Sequence, residues 1–182
     1  MITLIDRALL DEVCTEAAAS PRRRKNRNFH PRDDHPAHRL LNAMQPDSYI
    51  PPHRHLDPDK DETFVVLRGR LGLVLFDDDG GVARSVEIGP GAAVLGVDIP
   101  QGTWHTALAL EPDTVFLEAK AGPYLPFSEA ERAPWAPAEN SPEAAPYLAL
   151  LKLMLQREAL SVAGPAKTAS PAGSPEDRKS VV

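Results

Sequence analysis

The chain has 182 residues, enough for one domain with a sizeable core, and its 42% apolar content excludes a chain that is disordered or fibrous throughout. Twenty Lys and Arg stand against 26 Asp and Glu, a net charge of -6, which argues against coating nucleic acid or an anionic membrane and points to a small ligand. The single cysteine, Cys14, cannot form an internal disulfide, no apolar run reaches the roughly 18 residues of a membrane span, and charge enters at Asp6 and Arg7, too early for a signal peptide. A cytoplasmic location is therefore expected.

In chain order, the first predicted element is a helix. Thr3 with Asp6 resembles a capping box, and Ile5, Leu9, Val13 and Ala17 recur every four residues as an apolar stripe. A barrel follows over residues 21–139. Proline is abundant, 19 in all, yet only Pro90, Pro100 and Pro112 fall between residues 61 and 120, whereas eight of the 11 glycines do. Few prolines and many turn glycines are what a compact run of short strands requires. Strands are expected at Ser48-His55, Thr63-Arg68, Leu71-Phe76, Val82-Ile88, Ala92-Val97, Trp104-Leu110 and Thr114-Lys120. Asp78-Asp79-Gly80-Gly81 and Gly69 supply the positive φ values of tight turns between them. The fold class is all-β, with up-and-down or jelly-roll pairing. A second helix is predicted over 140–161, with Ser141 as N-cap and Pro142 in the first turn; its Leu-rich run Tyr147 to Leu155 suits packing on the barrel or a homodimer contact. From residue 162 the Pro, Ser, Gly and Ala composition predicts a disordered tail.

Chemistry concentrates in the predicted strands. His53 and His55 alternate, so they share a face about 6.6 Å apart, while Arg54 points away. Seven positions later Glu62 opens the next strand, and Pro100-Gln101-Gly102-Thr103-Trp104-His105 brings a third imidazole after a glycine turn. Three neutral nitrogens and one carboxylate suit one divalent transition metal, Fe, Mn, Ni or Zn, better than Ca or Mg. Asp61 is the rival carboxylate, but opposite parity allows only one of Asp61 and Glu62 to face the interior. If His105 points inward, so do Ala107 and Ala109, whose small side chains leave space for a ligand.

HxH, E-x6-G and PxGxxH resemble the two cupin motifs. A fuller set is similar to the WbuC-type cupin-fold metalloproteins: Arg24 to His30, Tyr49-Ile50-Pro51-Pro52-His53-Arg54-His55, Phe76-Asp77-Asp78, Trp104-His105-Thr106, Lys120-Ala121-Gly122-Pro123-Tyr124 and Trp135-Ala136-Pro137. The resemblance spans about residues 5–139. It departs from the general cupin pattern in having six residues between His55 and Glu62, and Ala109 where many cupins carry Asn. It implies a double-stranded β-helix with one metal in its mouth, His53, His55, Glu62 and His105 as ligands, and a place among polysaccharide and O-antigen biosynthesis proteins. It implies no particular reaction.

Around that site, Phe116, Glu118 and Lys120 share a strand face, which places an acid and a base near the mouth or an ion pair on a solvated outer face. Glu118, His30 and Tyr124 are candidate acid/base residues. Arg24, Asn28, Lys120 and Tyr49 are candidate substrate contacts, and the run Arg22 to Arg27 either grips an anionic small molecule or is solvated surface. His35 and His38 read as loop residues, and Cys14 as packing. Three functions fit: a metal-dependent isomerase or oxygenase acting on a sugar or sugar nucleotide, a non-catalytic sugar- or metal-binding regulator, and a partner-binding protein with a vestigial site. A metal-independent epimerase would need a His/Tyr pair instead.

Overall fold

The computed structural model describes residues 2–162, so the expected tail lies outside the described residues except for Val162, which ends the second helix. The first helix, α1 (Arg7–Ala19), starts where Asp6 accepts a hydrogen bond from the Leu9 amide at 3.0 Å, with no part taken by Thr3. Its buried face is Leu10, Val13, Cys14 and Ala17; Ile5 is exposed and Leu9 only half-buried, so the expected stripe is rotated. The rotation follows from what the helix covers, an apolar patch of Leu41, Ala43 and Val115.

Eight strands follow: β1 (Arg24–Asn28), β2 (Ala37–Met44), β3 (Glu62–Arg68), β4 (Leu71–Phe76), β5 (Val82–Ile88), β6 (Gly96–Ile99), β7 (Trp104–Ala109) and β8 (Thr114–Ala121). They form two antiparallel sheets, ordered β1-β2-β8-β3-β6 and β5-β4-β7. A one-turn 3-10 helix (Glu129–Glu131) and α2 (Ala144–Val162) complete the chain as described. The main core lies between the sheets, where Phe64, Val66 and Phe116 of the larger meet Leu71, Leu73, Ala107 and Ala109 of the smaller. Two sheets closing on one apolar core give an all-β jelly roll of the cupin type, a double-stranded β-helix with a helix at each end.

The smaller sheet has its outer face covered as well. Leu148, Leu151 and Leu155 of α2 bury Val74, Leu108 and Trp104 there, and Leu150, Leu153 and Met154 are left exposed on the helix's far side. Between β3 and β4 the chain reverses at Gly69, whose φ is +72° and where a Cβ would come within 2.9 Å of the Thr114 Cα. Only glycine meets both conditions without strain.

Several expected boundaries are corrected. Residues 48–55 form no strand: Pro51 and Pro52 lack the N–H groups a ladder needs, and only His53 bridges, to His105 on one side and Arg132 on the other. The strand expected at 92–97 is β6, shifted to Gly96–Ile99, because a turn closed by Ala92 N to Gly89 O occupies its start. Helix α2 begins at Ala144, so Ser141 and Pro142 belong to the preceding turn, in which the Ala144 amide bonds Ser141 O. β1 and β2 were not expected; His38 therefore stands on a strand, while His35 does lie in a loop. Among the described residues no helix is long and apolar enough to cross a membrane.

Candidate metal centre

The site is assembled at one end of the barrel by backbone pairing. His53 and His105 exchange both amide hydrogen bonds, at 3.0 and 2.9 Å, and Gly102 N donates to His55 O at 2.7 Å, tying the two histidine segments together. Glu62, first residue of β3, sits opposite Lys120 of β8. The result places ligand atoms of His53, His55 and Glu62 within 4.8 Å of one another. His105 joins them: its Nε2 lies 3.2 Å from Glu62 Oε2, and its ring centroid 4.5 Å from that of His53. Glu62 and His105 are each only 2% exposed. Asp61 points outward and accepts the Gln101 amide at 2.7 Å, as strand parity requires.

The tautomers follow from the partners. The Nδ1 atoms of His53 and His105 lie 3.0 and 2.9 Å from the carbonyl oxygens of Pro51 and Thr103. A carbonyl only accepts, so each Nδ1 carries the proton and each Nε2 turns a lone pair inward. His105 Nε2 is buried and has no hydrogen-bond partner among the described residues, since its approach to Glu62 lacks hydrogen-bond geometry. A buried acceptor costs free energy unless something binds it, and backbone-tethered imidazoles of this kind are how proteins present nitrogen to a cation. The donor set, up to three imidazole nitrogens and one carboxylate, fits a divalent transition metal. Burial first, then the neighbouring His105 ring, holds His53 well below the usual imidazole range, which keeps it neutral. For Glu62, burial would raise the carboxyl, but the hydrogen bond from His55 and the Lys120 ammonium outweigh it and hold it well below the usual range.

Lys120 and Glu118 lie on the inner face, not on a solvated one. Lys120 Nζ stands 2.6 Å from Glu62 Oε1 and 2.6 Å from Glu118 Oε1, and Asn42 donates to Glu118 Oε2 at 2.6 Å. His55 Nε2 is 2.8 Å from the same Glu62 Oε1. Glu62, Glu118, Lys120 and Asn42, with His53 and His105, border a cavity of about 620 Å³. Its polar wall is Glu118 and Lys120, its floor is Met44, Ile50 and Phe116, and Asn28 and Arg24 flank it from β1. His30 and His38, both buried, stack within its lining with centroids 3.9 Å apart, and Tyr124, 60% exposed, also lines it.

Tyr49 is not brought into this cavity. It is buried beneath α2, where its hydroxyl donates to Pro137 O at 2.9 Å and its ring meets Tyr147 edge-on. Strand alternation would put Tyr49 on the face of His53, four residues on, but residues 48–55 form no strand, and the Pro51-Pro52 step breaks that pattern. Cys14 is buried against α1's neighbours, with burial raising its thiol. Two contributors went unread in the sequence. Phe127 packs against the His53 and His55 rings at 4.5 and 5.3 Å, and Asn42 fixes Glu118. Phe127 sits in an aperiodic loop, and no local signal marks it.

The basic run is largely neutralised within the chain. Arg22 and Arg24 both grip Glu139, at 2.9 and 2.8 Å, Arg23 pairs with Asp47, and Arg27 bonds Glu12 and Glu16. Arg24 also donates to Tyr49 O at 2.9 Å. Burial would raise Glu139, yet the two guanidiniums hold it below the usual carboxylate range. A carboxyl depressed on folding stabilises above its unfolded value of about 4.3, and the gain fades as pH falls through the lower folded value. Glu139→Gln is therefore expected to cost about 1 kcal/mol at neutral pH, the upper end for partly exposed pairs. Thermal melts should show the gap to the wild type closing in acid below the folded value.

A family described as a domain of unknown function, DUF6016, matches residues 5–88. Among solved structures, KdgF from Halomonas sp. is 20% identical, with a TM-score of 0.44, over 58% of this chain and 84% of that one. A cupin-2 domain containing protein from Shewanella frigidimarina is 20% identical, TM-score 0.40, over 54% and 80% of the two chains. The polyketide cyclase RemF from Streptomyces resistomycificus is 25% identical, TM-score 0.41, over 67% and 75%. No curated protein matches the chain.

Proposed function

We propose that this protein is a metal-dependent enzyme of the WbuC-type cupins, acting on a small polar, anionic, sugar-like substrate in polysaccharide or O-antigen biosynthesis. The observation that carries the catalytic part is the convergence of three imidazoles and Glu62 on the edge of a cavity that also holds the buried pair Glu118 and Lys120. His53, His55, Glu62 and His105 are the residues that would hold the metal. When bound, such a cation polarises a substrate oxygen or activates water or dioxygen.

The remaining work falls to side chains of the cavity. Lys120 and Glu118, 2.6 Å apart, are a proton donor and acceptor facing the space where a substrate sits. His30, His38 and Tyr124 line the cavity, and Phe127 shields the imidazoles from water. Because the basic run is paired internally, and Lys120 is paired with Glu62 and Glu118, attraction of an anion falls to the metal rather than to Arg22 to Arg27. The sugar-like substrate class rests on the WbuC-type motifs.

One observation favours a second reading, a non-catalytic binding module: both Glu118 oxygens are already taken, by Lys120 and Asn42, so this carboxylate has no free oxygen for proton transfer. Metal-loaded protein should be offered a panel of nucleotide sugars and sugar phosphates, with product analysis and oxygen uptake followed together. Turnover of any supports the enzyme, and oxygen consumption identifies an oxygenase. Saturable binding with no turnover supports the module.

A further inference from the structure

The polar network at the barrel end poses a charge problem. Glu62 and Glu118 are 2% and 7% exposed, so both carboxylates are largely withdrawn from water. Among the described residues the permanently charged group that touches both is the Lys120 ammonium, whose Nζ is 2.6 Å from each, while His55 Nε2 donates a hydrogen bond to Glu62 Oε1 at 2.8 Å. The nearby Lys60 is directed elsewhere, to Pro123 O at 2.9 Å. His53 and His105 are tethered to carbonyls as neutral rings and donate no charge. Two buried carboxylates without a cation would repel each other and lose solvation with no return.

Resting on the metal-centre reading above, we propose that Lys120 is the chain's own counter-cation: it stands in for the metal on Glu62 in the metal-free protein and competes with the metal for that carboxylate. The competition is electrostatic. An ammonium in contact with Glu62 Oε1 repels a dication drawn to the same carboxylate, and in a partly desolvated site that repulsion is not screened away. Lys120 thus keeps the empty site folded and weakens cation binding, so the metal is exchangeable rather than locked in. Glu118, with its second oxygen fixed by Asn42, gives the ammonium a place to stay when Glu62 is claimed.

The test uses full-length wild type, Lys120→Met and Lys120→Arg, each stripped with chelator and titrated with Zn²⁺ alone against a competing fluorescent chelator, with thermal melts of the stripped and loaded forms. Lys120→Met is expected to melt below the wild type when stripped, to recover on saturation with Zn²⁺, and to bind Zn²⁺ at least about tenfold more tightly. Lys120→Arg keeps the charge and should stay within about threefold of the wild type. If stripped Lys120→Met does not fold, the double variant Lys120→Met/Glu118→Gln preserves the net buried charge and should show the same tightening. Unchanged or weaker Zn²⁺ binding by Lys120→Met, with normal binding by the wild type, overturns the role of Lys120 alone. Absence of Zn²⁺ binding by every form contradicts the metal-centre reading and overturns this proposal with it.

Discussion

Replacing His105 by alanine is expected to abolish stoichiometric metal while leaving the barrel folded. His105 contributes no hydrogen bond through Nε2, so removing the ring takes away an unsatisfied buried acceptor along with some packing. Its backbone pairing with His53 survives the change, because both hydrogen bonds are main-chain. Loss of the imidazole leaves His53, His55 and Glu62, one ligand fewer, so metal should be lost on exchange against a competing chelator that the wild type withstands. His55→Ala should lose metal as well, and it also strips Glu62 of its 2.8 Å partner. In the wild type, metal should be released in acid as the imidazoles protonate. His53 resists protonation, because burial and the neighbouring His105 hold it below the usual range. Metal analysis of each variant beside far-ultraviolet circular dichroism checks the expectation.

Leu151→Ala should have the largest effect on stability. Leu151 is 1% exposed and sits with Leu148 and Leu155 between α2 and the outer face of β4 and β7. Emptying it leaves a cavity in a region already crowded by Trp104, Val74 and Leu108, at a cost of about 2–5 kcal/mol. His105 faces the other side of this sheet and Glu62 belongs to the opposite sheet, so metal stoichiometry at low temperature should match the wild type. Denaturant titration at 25 °C measures the first effect, and metal analysis the second. A loss of metal equal to the loss of stability would mean that α2 positions the site rather than merely covering the sheet.

What the sequence discloses about this fold depends on how many faces of each element are covered. β3, with burial alternating along Glu62, Phe64 and Val66, and the glycine-bounded β4 and β7 were readable, as was the alternation that sends Glu62 inward and Asp61 outward. β1 was not, because Arg-Lys-Asn-Arg-Asn is an edge strand held by one neighbour, with its cationic side chains paired to α1 and Glu139. β2 was missed for the opposite reason: α1 covers one face and the cavity wall is the other, so Ala37 to Met44 shows no clean period. The segment before His53 looked like a strand because Tyr49 and Ile50 are good strand residues, yet Pro51 and Pro52 cannot pair. At the site, motif spacing pointed to the imidazoles and Glu62. The link from Glu62 through Lys120 to Glu118 and Asn42 depends on register across three strands, which no local pattern records.

The account stands on one claim, that His53, His55, His105 and Glu62 hold a single divalent ion. The most direct measurement is X-ray absorption at the metal edge of the wild-type protein loaded with one equivalent of Zn²⁺. The geometry predicts a nitrogen and oxygen shell with the outer-shell scattering of up to three imidazoles and no sulfur, since Cys14 lies buried under α1 instead. A shell of oxygen alone, without imidazole scattering, would contradict it.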